Sequence, residues 1–188
     1  MSKQYVTLPN FISLSRILLI LPIFILLQKH LYTWAFALAT FTLFTDFIDG
    51  LIARKTNSIS VYGSILDPIA DKIFVFSLLY FFTYNGQLNP VYFAISATRD
   101  ILQLLAIPIL MGYKKIKFNV QPKLISKIAT ILKYIIIVIL FLGSITHVGL
   151  KRILHPILIA SAILEIYVLY HYIIRFCEIF KGAHNTFE

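Results

Sequence analysis

Long apolar stretches separated by short polar connections dominate the pattern of this 188-residue chain. A helix that crosses a membrane needs about 20 mostly apolar residues. The candidate stretches are roughly Phe11–Leu31, Tyr32–Ala53, Ile65–Thr83, Pro90–Met111, Ile128–Leu150 and Ile153–Phe176. This pattern predicts an all-α integral membrane protein, a bundle of six transmembrane helices that forms one domain over residues 1–188.

Composition and charge refine this picture. Hydrophobic residues make up 59% of the chain, mean hydropathy is +0.85, and charged residues are only 13%. Most Lys and Arg residues flank the ends that share a side with the N-terminus, whereas Lys29, Lys151 and Arg152 flank the other side. Positive residues mark the cytosolic side, so we expect both termini in the cytosol. The net charge of +9 is spread over loops, which argues against a nucleic-acid partner.

Four of the five aspartates lie close together within this apolar sequence. Their frame is Asp46-x-x-Asp49-Gly50-x-x-Ala53-Arg54-x8-Gly63-x3-Asp67-x3-Asp71. Helical spacing places the first two carboxylates on one face of the second helix and the last two on one stripe of the third. Because the connection is short, we expect antiparallel neighbouring helices. The four carboxylates are then expected to converge a couple of turns below the cytosolic face.

Ionised carboxylates are costly among apolar residues, so these four require cations. A like-charge pair about 4 Å apart costs about 4 kcal/mol at an effective dielectric of 20. Two divalent cations would neutralise the cluster, and oxygen ligands favour Mg²⁺, Mn²⁺ or Ca²⁺ over zinc. Such a pair suits displacement at phosphorus. Gly50, Ala53 and Gly63 leave room for a ligand, although close helix packing explains small residues equally well.

The frame resembles, without departure, the motif of the CDP-alcohol phosphatidyltransferase family. The resemblance implies a six-span, usually dimeric enzyme over the whole chain that displaces CMP from CDP-diacylglycerol with an alcohol. It implies two divalent cations, Mg²⁺ or Mn²⁺, and a cytosolic active site. Together with the lack of an Arg- and Ser-rich transit extension, it favours a multi-pass protein of the bacterial inner membrane.

The resemblance also implies roles for individual residues. Asp46, Asp49, Asp67 and Asp71 resemble the metal ligands, and Asp71 also resembles the general base for the acceptor hydroxyl. The residues that resemble the CDP-binding positions are Asp46, Gly50, Ala53, Arg54, Gly63 and Asp67.

The acceptor alcohol depends on other segments. The opening that contains Asn10 and Arg16 resembles the phosphatidylglycerophosphate synthase and cardiolipin synthase branch, where these residues would help place the lipid diphosphate. An ordinary helix start with a basic flank is the other interpretation. Arg99, beside Asp100 in the fourth span, is a candidate for holding an acceptor phosphate, unless the two residues only neutralise each other. Lys127 either holds a phosphate or sets topology.

These segments resemble the CMP-forming cardiolipin synthases most, which favours phosphatidylglycerol as the acceptor and cardiolipin as the product. Glycerol 3-phosphate, the acceptor of phosphatidylglycerophosphate synthases, is the alternative. A cation transporter is a more remote hypothesis, because carboxylates within a membrane also mark ion paths. It is disfavoured because the acids lie near one face, and in the sixth span only Glu165 is acidic.

Overall fold

The computed structural model describes residues 8–55, 63–114 and 124–180, all of it helical or in short connections. Within these ranges, side chains are described at 15–45, 69–105 and 124–178, except at residue 175. The described helices are α1 (Leu8–Gln28), α2 (Tyr32–Lys55), α3 (Gly63–Tyr84), α4 (Pro90–Lys114), α5 (Leu124–Thr146) and α6 (Lys151–Phe180). The predicted all-α class with a helix for each apolar stretch is therefore confirmed.

The chain divides into two compact units, one of Met1–Phe81 with Phe141–Val148 and one of Phe82–Leu140 with Gly149–Glu188. In the first unit, α1 packs against α2. On α2, Ala35, Ala39 and Thr42 are buried at spacings of four and three, the period of one helix face. A ring contact between Phe24 and Phe81, at 5.7 Å between centroids, joins α1 to α3 in an edge-to-face geometry.

In the second unit, α4 packs against α6. The buried stripe of α6 repeats every three or four residues and consists of Leu154, Leu158, Ser161 and Glu165. Tyr92 of α4 makes a buried hydrogen bond of 2.9 Å with the Ser161 hydroxyl. The contact face of this helix pair is therefore partly polar and internally satisfied.

Three of the described helices are followed by a left-handed residue, His30 after α1, Gly86 after α3 and His147 after α5. At the end of α1, His30 has φ 56°, its N–H donates to the Leu27 carbonyl at 3.0 Å, and the Leu31 N–H donates to the Leu26 carbonyl at 2.9 Å. This is the Schellman arrangement, which satisfies carbonyls that a helix end would leave open. Gly86, with φ 69°, occupies the same position after α3. The first predicted span therefore stops at Gln28, before Leu31.

The surface of the described chain is apolar. Leu18, Trp34 and Ile163 are all more than half exposed, whereas the charged side chains Arg99, Asp100, Lys133 and Glu165 are buried. Some hydroxyls bond within their own helices, as Thr42 does to the Leu38 carbonyl and Ser77 to the Ile73 carbonyl, each at 2.8 Å. By length and composition, two helices of the described ranges, Leu124–Thr146 and Lys151–Glu178, are able to cross a membrane. The six-span topology and its orientation stay predictions.

Candidate active site

The aspartate frame lies on α2 and α3 as the spacing predicted. Asp46 and Asp49 belong to the last turns of α2, and Asp67 and Asp71 belong to the first turns of α3. The helical backbone that the face argument requires is therefore present. The side chains of Asp46, Asp49 and Asp67 lie outside the described ones. So do those of the candidates Asn10, Gly50, Ala53, Arg54 and Gly63. Convergence of the four carboxylates stays a prediction.

Asp71 is the frame aspartate whose side chain is described, and Arg16 of α1 forms an ion pair with it through Nη1 and Oδ1. The arginine side chain is 1% exposed, whereas the aspartate side chain is 44% exposed. The carboxylate thus lies at the rim of the first unit with a buried cation behind it. Sequence reasoning had placed these two residues in separate roles, on a lipid diphosphate and on the acceptor hydroxyl.

The donor chemistry at this place fits a divalent cation. Carboxylate oxygens are preferred ligands of Mg²⁺ and Mn²⁺, and the half-exposed Asp71 side chain is accessible to an ion or a polar substrate. Arg16 supplies one positive charge, which leaves most of the formal negative charge of the four aspartates to be balanced by other cations. The residues that would hold them are Asp46, Asp49, Asp67 and Asp71.

A second set of charges lies in the other unit, where four buried side chains form a closed ring, the charge ring. Arg99 Nη1 contacts Asp100 Oδ1 at 3.1 Å, and Asp100 Oδ2 contacts Lys133 Nζ at 2.7 Å. Lys133 Nζ also contacts Glu165 Oε1 at 3.2 Å, and Glu165 Oε2 closes the ring on Arg99 Nε at 3.5 Å. Each carboxylate therefore bridges both cations, with one oxygen for each.

The charge ring has no formal net charge, and its side chains are 0–10% exposed. Burial of single charges in apolar surroundings is costly, but alternating signs at these distances offset that cost. The ring joins α4, α5 and α6, the last two being the described helices apolar enough to span a membrane. It therefore allows four ionised groups to lie inside an otherwise apolar unit.

Arg99 is fixed at more than the ring. Its Nη2 donates to the Ser126 hydroxyl at 2.8 Å, in the first turn of α5. Nη1 and Nη2 are therefore hydrogen-bonded and Nε is in ion-pair contact with Glu165, so the self-neutralising interpretation of Arg99 and Asp100 describes part of its surroundings. A guanidinium has five N–H donors, and these contacts leave two for a ligand. Lys127, the next residue after Ser126, is exposed. Their acceptor roles stay predictions.

Sequence reasoning did not assign roles to Lys133 and Glu165. The signal was present, because each is a single charged residue in the middle of an apolar stretch, and such residues normally pair. What the sequence lacked was the partner, since the contacts join residues of three different helices, α4, α5 and α6.

Comparison with known proteins defines the class. A sequence model of the CDP-alcohol phosphatidyltransferase family matches residues 6–168. The match covers most of the chain, includes the whole aspartate frame and agrees with the helical fold. The chain belongs to the CDP-alcohol phosphatidyltransferase family.

Individual relatives carry two kinds of name. A CDP-diacylglycerol–glycerol-3-phosphate 3-phosphatidyltransferase of Aquifex aeolicus is 34% identical over 159 residues, 83% of this chain and 88% of the relative. A protein of the same name from Rickettsia felis is 30% identical over 152 residues, 73% and 76% of the two chains. A Mycobacterium tuberculosis protein named "Putative cardiolipin synthase" is 33% identical over 110 residues, 57% and 52% of the two chains.

Proposed function

We propose that this enzyme transfers the phosphatidyl group of CDP-diacylglycerol to glycerol 3-phosphate and releases CMP. The observation that carries the acceptor is the similarity to glycerol-3-phosphate transferases over most of both chains. This reverses the order that the sequence segments favoured, in which phosphatidylglycerol came first. Those segments are short, whereas the Aquifex match extends over 83% of the chain.

In the proposed reaction, an acceptor hydroxyl oxygen attacks the phosphorus of the phosphatidyl group. The new P–O bond forms to the acceptor, the bond from that phosphorus to the CMP oxygen breaks, and CMP leaves with the bond's electron pair. Asp71 accepts the hydroxyl proton, and the accessibility of its half-exposed carboxylate supports this role. Arg16 holds the carboxylate in place. Divalent cations, when bound by the frame aspartates, supply charge neutralisation for the attacking and leaving oxygens.

The same proposal includes the membrane arrangement. The six helices cross the inner membrane, both termini and the aspartate frame lie on the cytosolic side, and the chain acts as one domain in a homodimer. The apolar outer surface and the buried charges support a lipid environment, because a water-soluble protein has the opposite polarity. Arg99 and Lys127 are the proposed contacts of the acceptor phosphate.

A product assay tests the acceptor. Purified protein in detergent is supplied with CDP-diacylglycerol, with Mg²⁺ or Mn²⁺, and with either glycerol 3-phosphate or phosphatidylglycerol. We expect CMP release and phosphatidylglycerophosphate with the first acceptor. Omission of the cation is the control and should stop the reaction.

Cardiolipin formation is the second candidate, favoured by the mycobacterial relative and by the Arg99–Asp100 pair. If the product assay shows conversion of phosphatidylglycerol but not of glycerol 3-phosphate, cardiolipin formation becomes the proposed function. A protein that moves cations across a vesicle membrane without any CMP release would instead be a transporter.

A further inference from the structure

The completely buried Glu165 carboxylate belongs to the charge ring and contacts Arg99, the residue proposed to hold the acceptor phosphate. We propose that Glu165 is a positioning residue, which fixes the Arg99 guanidinium and thereby sets how tightly the enzyme holds the acceptor phosphate. The inference rests on the proposed function, because Arg99 is the proposed phosphate contact there. It adds a residue of α6 to the acceptor site.

The contacts hold the guanidinium from three helices. Nη1 donates a hydrogen bond to Asp100 of α4 and Nη2 donates one to Ser126 of α5, whereas Nε makes an ion-pair contact of 3.5 Å with Glu165 of α6. The two hydrogen bonds and the ion-pair contact together restrict the rotation of this planar group, so its remaining N–H bonds keep one direction. Without Glu165, Nε loses its carboxylate, and α6 no longer contributes to this arrangement.

Lys133 explains why Glu165 is able to remain ionised there. Lys133 Nζ lies 3.2 Å from Glu165 Oε1, so the carboxylate is not left with Arg99 as its single cation. Lys133 has no contact with Arg99 among the described residues. Lys133 and Glu165 therefore differ in what they contribute to the ring. Glu165 affects both the charge balance of the ring and the placement of Arg99, whereas Lys133 affects the charge balance.

The rival explanation is that the ring contributes charge balance and nothing else. Glu165→Gln leaves the ring with an uncompensated positive charge. The double variant Lys133→Gln/Glu165→Gln is neutral again, because Arg99 and Asp100 still balance each other. If charge balance is all that matters, the double variant should behave as the wild type in every measurement.

Kinetics and thermal unfolding of the detergent-solubilised enzyme distinguish the two. We expect Glu165→Gln to raise the KM for the acceptor about 10-fold, as loss of a charged contact does, and to change the KM for CDP-diacylglycerol less than about twofold. In the double variant, the unfolding temperature should return towards the wild-type value while the acceptor KM stays high. Glu165→Asp keeps the charge, so its acceptor KM should lie between the values of the wild type and of Glu165→Gln.

Ser161→Ala is the matched control. Ser161 lies one helical turn before Glu165 on the same buried stripe and also joins α6 to α4, but its hydrogen bond goes to Tyr92, which is not a ring member. This variant should lower the unfolding temperature without a change in acceptor KM. A similar rise in acceptor KM for Ser161→Ala would show that general loosening of the α4–α6 contact is the cause, and would overturn the inference.

The remaining outcomes are also decisive. Recovery of both unfolding temperature and acceptor KM in the double variant would leave charge balance as the sole role of Glu165. If Glu165→Gln does not fold, the neutral double variant carries the KM comparison. A wild-type enzyme that uses phosphatidylglycerol instead would change the proposed function, yet the same test applies with the KM for that acceptor. No CMP release with either acceptor would remove both proposals.

Discussion

Two regions of this molecule hold acidic side chains in apolar sequence, and these side chains differ in exposure and in their ion-pair partners. In the first unit, the Asp71 side chain is 44% exposed and pairs with a buried arginine of another helix. In the second, Asp100 and Glu165 are 10% and 0% exposed, and each bridges the same two cations. The first carboxylate remains accessible to ligands, whereas the other two are buried against the protein's own cations.

Under the proposed function, this contrast separates an acid that performs chemistry from acids that hold structure. A general base must reach a substrate proton, so exposure is a requirement. A carboxylate that organises helices must instead be enclosed and paired. In the sequence, both kinds of carboxylate are isolated charges among apolar residues. The exposed fraction of the side chain in the structure distinguishes one kind from the other. The following variants test that distinction, from the largest expected effect to the smallest.

Asp71→Asn should lower turnover about 10²- to 10⁴-fold, because the amide cannot accept the hydroxyl proton. The measurement is CMP release at saturating substrates. Ser77→Ala, on the same helix, is the control, since its hydroxyl bonds only within α3. Full turnover by Asp71→Asn would remove this residue as the base.

Lys133→Met should lower the free energy of unfolding by about 3–5 kcal/mol, because it leaves two buried carboxylates with one cation. Denaturant titration in detergent measures the loss. The double variant Lys133→Met/Glu165→Leu removes one charge of each sign and should be markedly more stable than the single variant. If the single variant were as stable as the wild type, the ring would not balance charge.

Mn²⁺ should stabilise the wild-type protein against thermal unfolding, by about 2.7 kcal/mol at a cation concentration 100 times the dissociation constant. Asp71→Asn should reduce this stabilisation, because it removes a proposed ligand. Glu165→Gln should keep it, because the ring carboxylates are occupied by protein cations. Loss of the Mn²⁺ effect in Glu165→Gln alone would reverse the contrast between the two regions.

Tyr92→Phe should cost about 1 kcal/mol of stability, the contribution of a neutral hydrogen bond, because Ser161 loses its partner. Tyr170→Phe, at an exposed position of α6, is the control and should cost less. A loss for Tyr92→Phe as large as that for Lys133→Met would mean that helix packing, and not charge, explains the stability of the second unit.

The helices were predictable because a hydrophobic stretch long enough to cross a membrane is compatible with few structures other than a helix. Their ends were not. The fifth helix begins at Leu124, four residues before the predicted start, because a helix end that carries Ser126 and Lys127 is polar and does not contribute to the apolar pattern. The first ends early because His30 adopts a left-handed backbone conformation, which hydropathy does not encode.

For the site, spacing along a helix predicted the acidic frame, since it requires only local periodicity. The contact between Arg16 and Asp71 and the charge ring were not predictable. Each depends on which helices are neighbours, and the α4–α6 packing that brings Glu165 to Arg99 joins parts of the chain that are far apart in sequence. A single charged residue in an apolar stretch indicates that it has a partner of opposite charge, but it does not indicate which residue that partner is.

The order of the ring members along the chain has a consequence for biosynthesis. In a chain that enters a membrane as it is made, α4 arrives with Arg99 and Asp100, whose charges cancel. Lys133 then adds a positive charge that persists until Glu165 emerges with α6. A nascent protein that stops short of its last helix therefore keeps the Lys133 charge among apolar segments without the Glu165 carboxylate that compensates it.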